Sequence, residues 1–109
     1  MTNIDYVIVG SGPSLADVTA AVRAATDSVL TETGWLHPSD DRAALRVIAD
    51  PDEGGGWVVQ VYYAGDPVRL RHELARTVYD SLAAATGWDL IWDSDDTEDV
   101  LAERIKSSA

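Results

Sequence analysis

The alternation of apolar and polar residues is clearest over residues 57–63, which read Trp-Val-Val-Gln-Val-Tyr-Tyr. Such a density of β-branched and aromatic residues is typical of a β-strand. A period of two places Trp57, Val59, Val61 and Tyr63 on one face, and Val58, Gln60 and Tyr62 on the other. Helical patterns lie on both sides of this segment in the sequence, so we predict that it is the central strand of a sheet.

Before this segment, apolar residues recur at intervals of three and four, as on one face of a helix. They are Leu15, Val18, Val22, Ala25 and Val29. Ser14 is a predicted N-cap because its side chain can accept a hydrogen bond from the first helical turn. The pattern predicts a helix over residues 15–32 that stops at Gly34.

A second helical pattern follows the central strand. Its apolar positions are Leu70, Leu74, Val78 and Leu82. Asp66 followed by Pro67 predicts the start of this helix, since proline is favoured at the first helical position. Gly87 is its predicted end.

Shorter patterns complete the chain. Strands are predicted over residues 4–9, 44–49 and 89–92, and residues 35–41 are predicted to form a polar loop. Thr97 is the predicted N-cap of a short C-terminal helix. That helix would contain Val100, Leu101 and Ile105.

The predicted order of elements is βαββαβ followed by a short C-terminal helix. Thr33-Gly34-Trp35 and Thr86-Gly87-Trp88 form a weak internal repeat at the two predicted helix ends. This order predicts a single α+β domain over residues 1–109 with a ferredoxin-like split βαβ fold, an antiparallel sheet with both helices on one face. We expect residues 57–63 to pair antiparallel with residues 44–49 and to lie beside residues 4–9.

A glycine-rich turn joins the first strand to the first helix. The segment Val7-Ile8-Val9-Gly10-Ser11-Gly12-Pro13-Ser14 resembles the opening of flavin-dependent dinucleotide-binding domains. The resemblance implies a pyrophosphate site on backbone amides at the helix N-terminus. It ends at Leu15, which stands where that family has a third glycine for close packing. We therefore predict a structural turn and no cofactor.

The composition is that of one globular domain of 109 residues, with 46% apolar residues and no cysteine. Disulfides and thiolate metal sites are excluded for lack of cysteine. No apolar run approaches the roughly 20 residues that cross a bilayer, and no secretion signal opens the chain. We expect a cytoplasmic protein.

The charge is strongly acidic, with 19 acidic and 8 basic residues and a formal net charge of −11. Nucleic-acid binding depends on Lys and Arg side chains that neutralise phosphates, so we expect no nucleic-acid partner. Anionic membranes are disfavoured for the same reason. A basic protein partner is favoured, since complementary potentials accelerate encounter.

Catalytic and metal-binding signatures are weak. His37 and His72 are isolated in the sequence, and we predict that both are surface residues without a zinc site. The acidic loop from Asp93 fails the pattern of a calcium loop, because Glu98 occupies the glycine position and Arg104 the last ligand position. We predict no metal and no catalytic residue.

The segment from Trp88 to Asp99 has six acids, two tryptophans and no base. Tryptophan is common at the energetic centre of interfaces, and carboxylates around it suit a basic surface. The predicted partner-binding residues are Trp88, Asp89, Trp92, Asp93, Asp95 and Asp96. The alternative is that both tryptophans belong to the core and the acids are merely solvated.

These patterns predict a small acidic protein-binding module that is not an enzyme and exists as a monomer or homodimer. Its concrete form would be an immunity or antitoxin protein that neutralises a toxin with a basic active-site cleft. The alternative is a small-molecule-binding protein or cofactor-free enzyme of the dimeric ferredoxin-like type. Its pocket between sheet and helices would be lined by Trp35, His37, Tyr62 and Tyr63.

Overall fold

The computed structural model describes residues 4–10, 12–39, 42–49, 56–64, 68–95 and 101–104. Within these ranges the chain is an α+β protein. Its helices are α1 (Leu15–Thr26) and α2 (Val68–Ala85). Its strands are β1 (Asp5–Val9), β2 (Val29–Leu30), β3 (Trp35–His37), β4 (Ala43–Ala49), β5 (Trp57–Tyr63), β6 (Leu90–Ser94) and β7 (Ala102–Arg104).

The described strands form one antiparallel sheet in the order β2-β3-β4-β5-β1-β6-β7. Strand β5 lies in the centre between β4 and β1. Val59 of β5 is aligned with Val47 on β4 and with Val7 on β1. The antiparallel pairing expected for these three segments is therefore the one observed.

Both helices pack on one face of the sheet and contact each other. The core between them and the sheet is built almost entirely from valine and leucine. Its buried members are Val7, Val9, Val18, Val22, Leu36, Leu45, Val59, Val61, Ala75, Val78, Leu82 and Leu90. The even spacing of Val7 and Val9 on β1, and of Val59 and Val61 on β5, shows that alternate strand residues face the helices.

The opposite side of the sheet, which we call the helix-free face, carries the intervening strand residues. A polar row crosses five strands through directly opposed residues: Asp93, Tyr6, Gln60, Arg46 and Trp35. Beside it runs an apolar row: Ile91, Ile8, Val58 and Ile48. Apart from the buried Val58, the members of both rows are half-buried.

The first helix is shorter than the predicted span of 15–32. It ends at Thr26 because Asp27 adopts a left-handed conformation (φ 50°) and its N–H bonds to the carbonyl of Arg23. Val29 continues the helical stripe in the sequence but lies in β2. The helix predicted from the three- and four-residue spacing is thus confirmed up to the cap at Asp27 and wrong beyond it.

The predicted polar loop at residues 35–41 contains a strand, β3, at its start. A tight turn over residues 31–34 connects it to β2, and Gly34 occupies this turn with φ 88°, a conformation that favours glycine. Thr33-Gly34-Trp35 therefore closes a hairpin instead of a helix. The interpretation of this tripeptide and Thr86-Gly87-Trp88 as equivalent helix ends is wrong.

The C-terminal helix prediction is also wrong in the described part of its span. Residues 102–104 form β7, which pairs with β6 and aligns Ala102 with Trp92. The predicted cap Thr97 lies outside the described residues, as do Val100 and Ile105. Among the described helices, neither is long and apolar enough to cross a membrane.

Candidate functional site

The described interior contains one fully buried carboxylate, that of Asp5. Its Oδ1 accepts hydrogen bonds from Arg71 Nε at 2.8 Å and Ser94 Oγ at 2.7 Å. Its Oδ2 lies 2.7 Å from His72 Nδ1 and accepts a bond from Trp92 Nε1 at 3.1 Å. Each carboxylate oxygen thus has two partners, which is how a buried charge becomes tolerable.

Three elements deliver these side chains, which we call the Asp5 cluster. Asp5 opens β1 on the side that faces the helices, and Ser94 lies directly opposite it on β6. Arg71 and His72 are consecutive residues near the start of α2. Their side chains leave the helix about 100° apart, and both reach the Asp5 carboxylate. The cluster therefore ties the start of α2 to β1 and β6.

The ionisation of Asp5 reflects two opposing effects. Burial alone would raise its pKa, but the hydrogen bonds from Arg71, Ser94, His72 and Trp92 together hold the pKa below its ordinary value of 3.8. Asp5 is therefore an ionised acceptor in the folded protein. Since a carboxylate only accepts, His72 Nδ1 carries the proton in this contact.

This lowered pKa predicts a loss of stability in acid. The contribution of Asp5 is fully present above the unfolded-state pKa near 3.8 and is lost as the pH falls through the lower folded-state pKa. Urea unfolding of wild type and Asp5→Asn should therefore show a stability gap that is constant at about pH 5 to 7 and narrows below about pH 4. A gap that stays constant down to about pH 2 would contradict the assignment.

The Asp5 cluster has some parts of a catalytic triad but not their order. A triad requires the hydroxyl to contact the imidazole. Here Ser94 bonds to Asp5, on the carboxylate oxygen that His72 does not contact. No group of three or more potential metal ligands occurs among the described residues. What the geometry shows is a set of hydrogen bonds that joins β1, β6 and the start of α2.

Two of the predicted partner-binding residues, Trp88 and Trp92, pack against the core. Trp92 is half-buried against the core, donates to Asp5, and has its ring 6.4 Å from that of His72. Trp88 is also half-buried against the core. Both tryptophans thus fit the alternative interpretation, in which they are structural.

Asp93 and Asp95 occupy the other side. Asp93 stands opposite Tyr6 in the polar row of the helix-free face. Asp95 is exposed, and its Oδ2 accepts from the backbone N–H of Ile4 at 3.0 Å and from the Tyr6 hydroxyl at 3.3 Å. Burial and the nearby Asp95 carboxylate raise the pKa of Tyr6 above its ordinary value, so its hydroxyl remains a donor. We call Tyr6, Asp93 and Asp95 the acidic corner.

The remaining predicted residues contribute differently. Asp89 is half-buried, and its carbonyl accepts a bond from Gly10 N–H at 3.0 Å. A β-carbon at position 10 would lie 3.1 Å from that of Asp89. This close approach of β1 and β6 explains a glycine in the turn on structural grounds. Asp96 lies outside the described residues.

The other end of the polar row is basic and aromatic. The Arg46 guanidinium lies 4.8 Å from the centre of the Trp35 ring, and its Nη2 donates to Gln60 Oε1 at 3.1 Å. The hydroxyl of Tyr62 donates to the same oxygen, and its ring contacts Trp35 edge-on at 5.3 Å. The helix-free face therefore changes from acidic on β6 to basic on β4.

The pocket residues expected for a small-molecule binder do not all lie on one side of the sheet. Trp35, His37 and Tyr62 lie on the helix-free face, as their register shows. Tyr63 lies on the opposite side, with Arg42 stacked 4.8 Å from its ring centre. No pocket between sheet and helices is formed by this set.

The Asp5 cluster leaves little trace in the sequence. The one available signal was an acid inside the apolar run of residues 4–9, matched by an Arg-His pair on a helix. His72 was predicted to lie on the surface, yet its side chain is only 27% exposed because it contacts Asp5. By contrast, His37 is exposed, as predicted.

Comparison with known proteins adds no assignment. The chain matches no protein-family model, and no curated protein sequence is significantly similar to it.

Proposed function

We propose that this protein is a non-enzymatic binding module whose acidic corner contacts a basic protein partner. The observation that carries the proposal is the unneutralised charge of Asp93 and Asp95. Among the described residues, neither carboxylate has an ion-pair partner. Asp5, in contrast, is neutralised by Arg71, and Asp80 pairs with Arg76. The acidic corner thus presents two negative charges that no described cationic side chain neutralises, although both carboxylates accept hydrogen bonds within the fold.

The surroundings of the acidic corner suit an interface. Tyr6 adds an aromatic side chain with a polar tip, a residue type enriched where proteins meet. The adjacent apolar row contributes half-buried Ile8 and Ile91, whose remaining exposed surface can be covered by a partner. Acids at the edge of an apolar patch guide encounter, while the patch itself supplies affinity.

The concrete form that we propose is an immunity or antitoxin protein that neutralises a toxin. A toxin that acts on nucleic acid or nucleotides needs a cationic cleft, and a small acidic protein can occlude it. Three features support an immunity or antitoxin function: the net charge of −11, the length of 109 residues and the acidic corner. The toxin would be the basic partner.

We also propose that the fold is a ferredoxin-like one with additional edge strands. The order β4-β5-β1-β6, with α1 after β1 and α2 after β5, supports this. Strands β2 and β3 extend the sheet at one edge and β7 at the other. In such a fold the helix-free face is the broad surface left for a partner.

Neutralisation of the acidic corner tests the proposal. The variant Asp93→Asn/Asp95→Asn keeps side-chain oxygens that can accept the observed hydrogen bonds but removes two charges. The matched control is Glu73→Gln/Asp80→Asn, which removes two exposed charges from α2. Wild-type protein immobilised on resin would capture the partner from lysate of its native cells, and association would then be measured by biolayer interferometry.

The acidic-corner variant should associate about tenfold more slowly than wild type, because steering charges act mainly on the association rate. The control should associate at nearly the wild-type rate. Equal slowing by both variants would mean that only net charge matters. Unchanged association of the acidic-corner variant would exclude this surface from the binding site.

A further inference from the structure

Strand β2 is an exposed edge of the sheet with an apolar surface. Val29 is 65% exposed and Leu30 is 42% exposed, the first being the most exposed large apolar residue in the described chain. β2 pairs on one side with β3 and has no neighbour on its other side among the described strands. Edge strands of this kind accept further strands unless charge or a cover prevents it.

The backbone of Leu30 is directed towards this open side. Thr31 N–H donates to the carbonyl of Trp35 at 2.8 Å, so Thr31 is a hydrogen-bonded position of the β2–β3 ladder. Bonded and non-bonded pairs alternate along antiparallel strands. The pair Leu30–Leu36 is therefore non-bonded, and the N–H and C=O of Leu30 point away from β3.

Two acids flank this edge. Asp27 precedes β2 and Glu32 follows it, and both are exposed. Neither forms an ion pair with any other described residue. The edge thus combines an apolar centre, a backbone donor and acceptor that face no described strand, and a negative charge at each end.

We propose that β2 is a docking edge for an extended, cationic segment of another protein, which adds to the sheet as a further strand next to β2. Backbone hydrogen bonds to Leu30 would provide the register, an apolar side chain would cover Val29 or Leu30, and Lys or Arg residues would meet Asp27 and Glu32. This surface lies at the sheet edge opposite β6, so the inference goes beyond the acidic corner and does not depend on it.

A second copy of the chain is a poor occupant of this edge. Antiparallel self-pairing about Leu30 would place Glu32 of each copy opposite Ser28 of the other, next to Asp27. Four carboxylates would then surround a contact of two residues per chain. Four carboxylates close to one short contact repel one another, so the charge pattern favours a cationic partner over self-association.

Titration of the full-length ¹⁵N-labelled chain with a synthetic peptide tests the inference. The probe is acetyl-Lys-Val-Thr-Val-Lys-amide, and its matched control has glutamate in place of both lysines. The lysine peptide should shift the amide signals of β2 and bind about tenfold more tightly than the glutamate peptide. The double variant Asp27→Asn/Glu32→Gln should abolish this preference, and asparagine is tolerated in the left-handed conformation of residue 27.

Compared with Leu30→Ala, Leu30→Pro isolates the backbone contribution, because both variants lose the leucine side chain but only proline removes the outward N–H, and the bonds to β3 stay intact. Leu30→Pro should weaken binding of the lysine peptide about fivefold relative to Leu30→Ala, which corresponds to the loss of one backbone hydrogen bond. The inference is overturned if the lysine peptide leaves β2 unshifted, if both peptides bind equally to wild type, or if the β2 signals shift on concentration of the protein alone, which would indicate self-pairing.

Discussion

Asp5→Ala should destabilise the protein by about 3–5 kcal/mol, the range expected when one partner of a buried ion pair is removed. The substitution leaves the buried Arg71 guanidinium without its carboxylate at 2.8 Å. It also removes the common acceptor of Ser94, His72 and Trp92. Because three elements meet at this carboxylate, its loss should lower the cooperative stability of the whole sheet, measured by urea unfolding.

Asp80→Ala is the matched control for this prediction. Asp80 also pairs with an arginine, Arg76, but both side chains are largely exposed and their atoms are 3.4 Å apart. Exposed pairs of this kind contribute about 0–1 kcal/mol. If Asp5→Ala were as mild as Asp80→Ala, the Asp5 cluster would not be a structural centre.

Trp92→Ala should be the second large effect, at about 3 kcal/mol of unfolding free energy. Its indole packs against the core and donates to Asp5 Oδ2 at 3.1 Å. If Trp92 only anchored a partner, its replacement by alanine would weaken binding to that partner and leave the free energy of unfolding unchanged. Thermal and urea unfolding of the isolated protein therefore separate the two interpretations without any partner.

Trp92→Phe separates packing from hydrogen bonding. Phenylalanine retains most of the apolar contact but has no N–H for Asp5, so it should cost about 1.5–3 kcal/mol, as hydrogen bonds to charged groups do. Equal stability of Trp92→Phe and wild type would mean that the bond to Asp5 contributes nothing. If Trp92→Ala were about as stable as wild type, the interpretation of Trp92 as a partner-binding residue would be favoured instead.

The central strands were predictable because their pattern is long. Residues 57–63 and 44–49 each alternate over several residues, and their pairing follows from the hairpin between them. Strands β2 and β3 are two and three residues long, too short for any period to appear. The residues of β2 also continued the helical stripe of α1, so only the left-handed conformation of Asp27 separates them.

The site was predictable only in part, for a similar reason. The acids from Asp89 to Asp99 are close together in the sequence, so their concentration was visible, but the face on which each β6 residue lies depends on the strand register. The partners of Asp5 are 66 to 89 residues away along the chain. Such a contact depends on how α2 crosses β1 and β6, which a local pattern does not encode.

The salt dependence of association with the captured partner tests the proposed function most directly. The electrostatic screening length falls from about 14 Å at about 0.05 M ionic strength to about 4 Å at about 0.5 M. The association rate of wild type should fall steeply over this range, while that of Asp93→Asn/Asp95→Asn should start lower and fall less. Parallel salt dependence of the two proteins would contradict the claim that the acidic corner steers the partner.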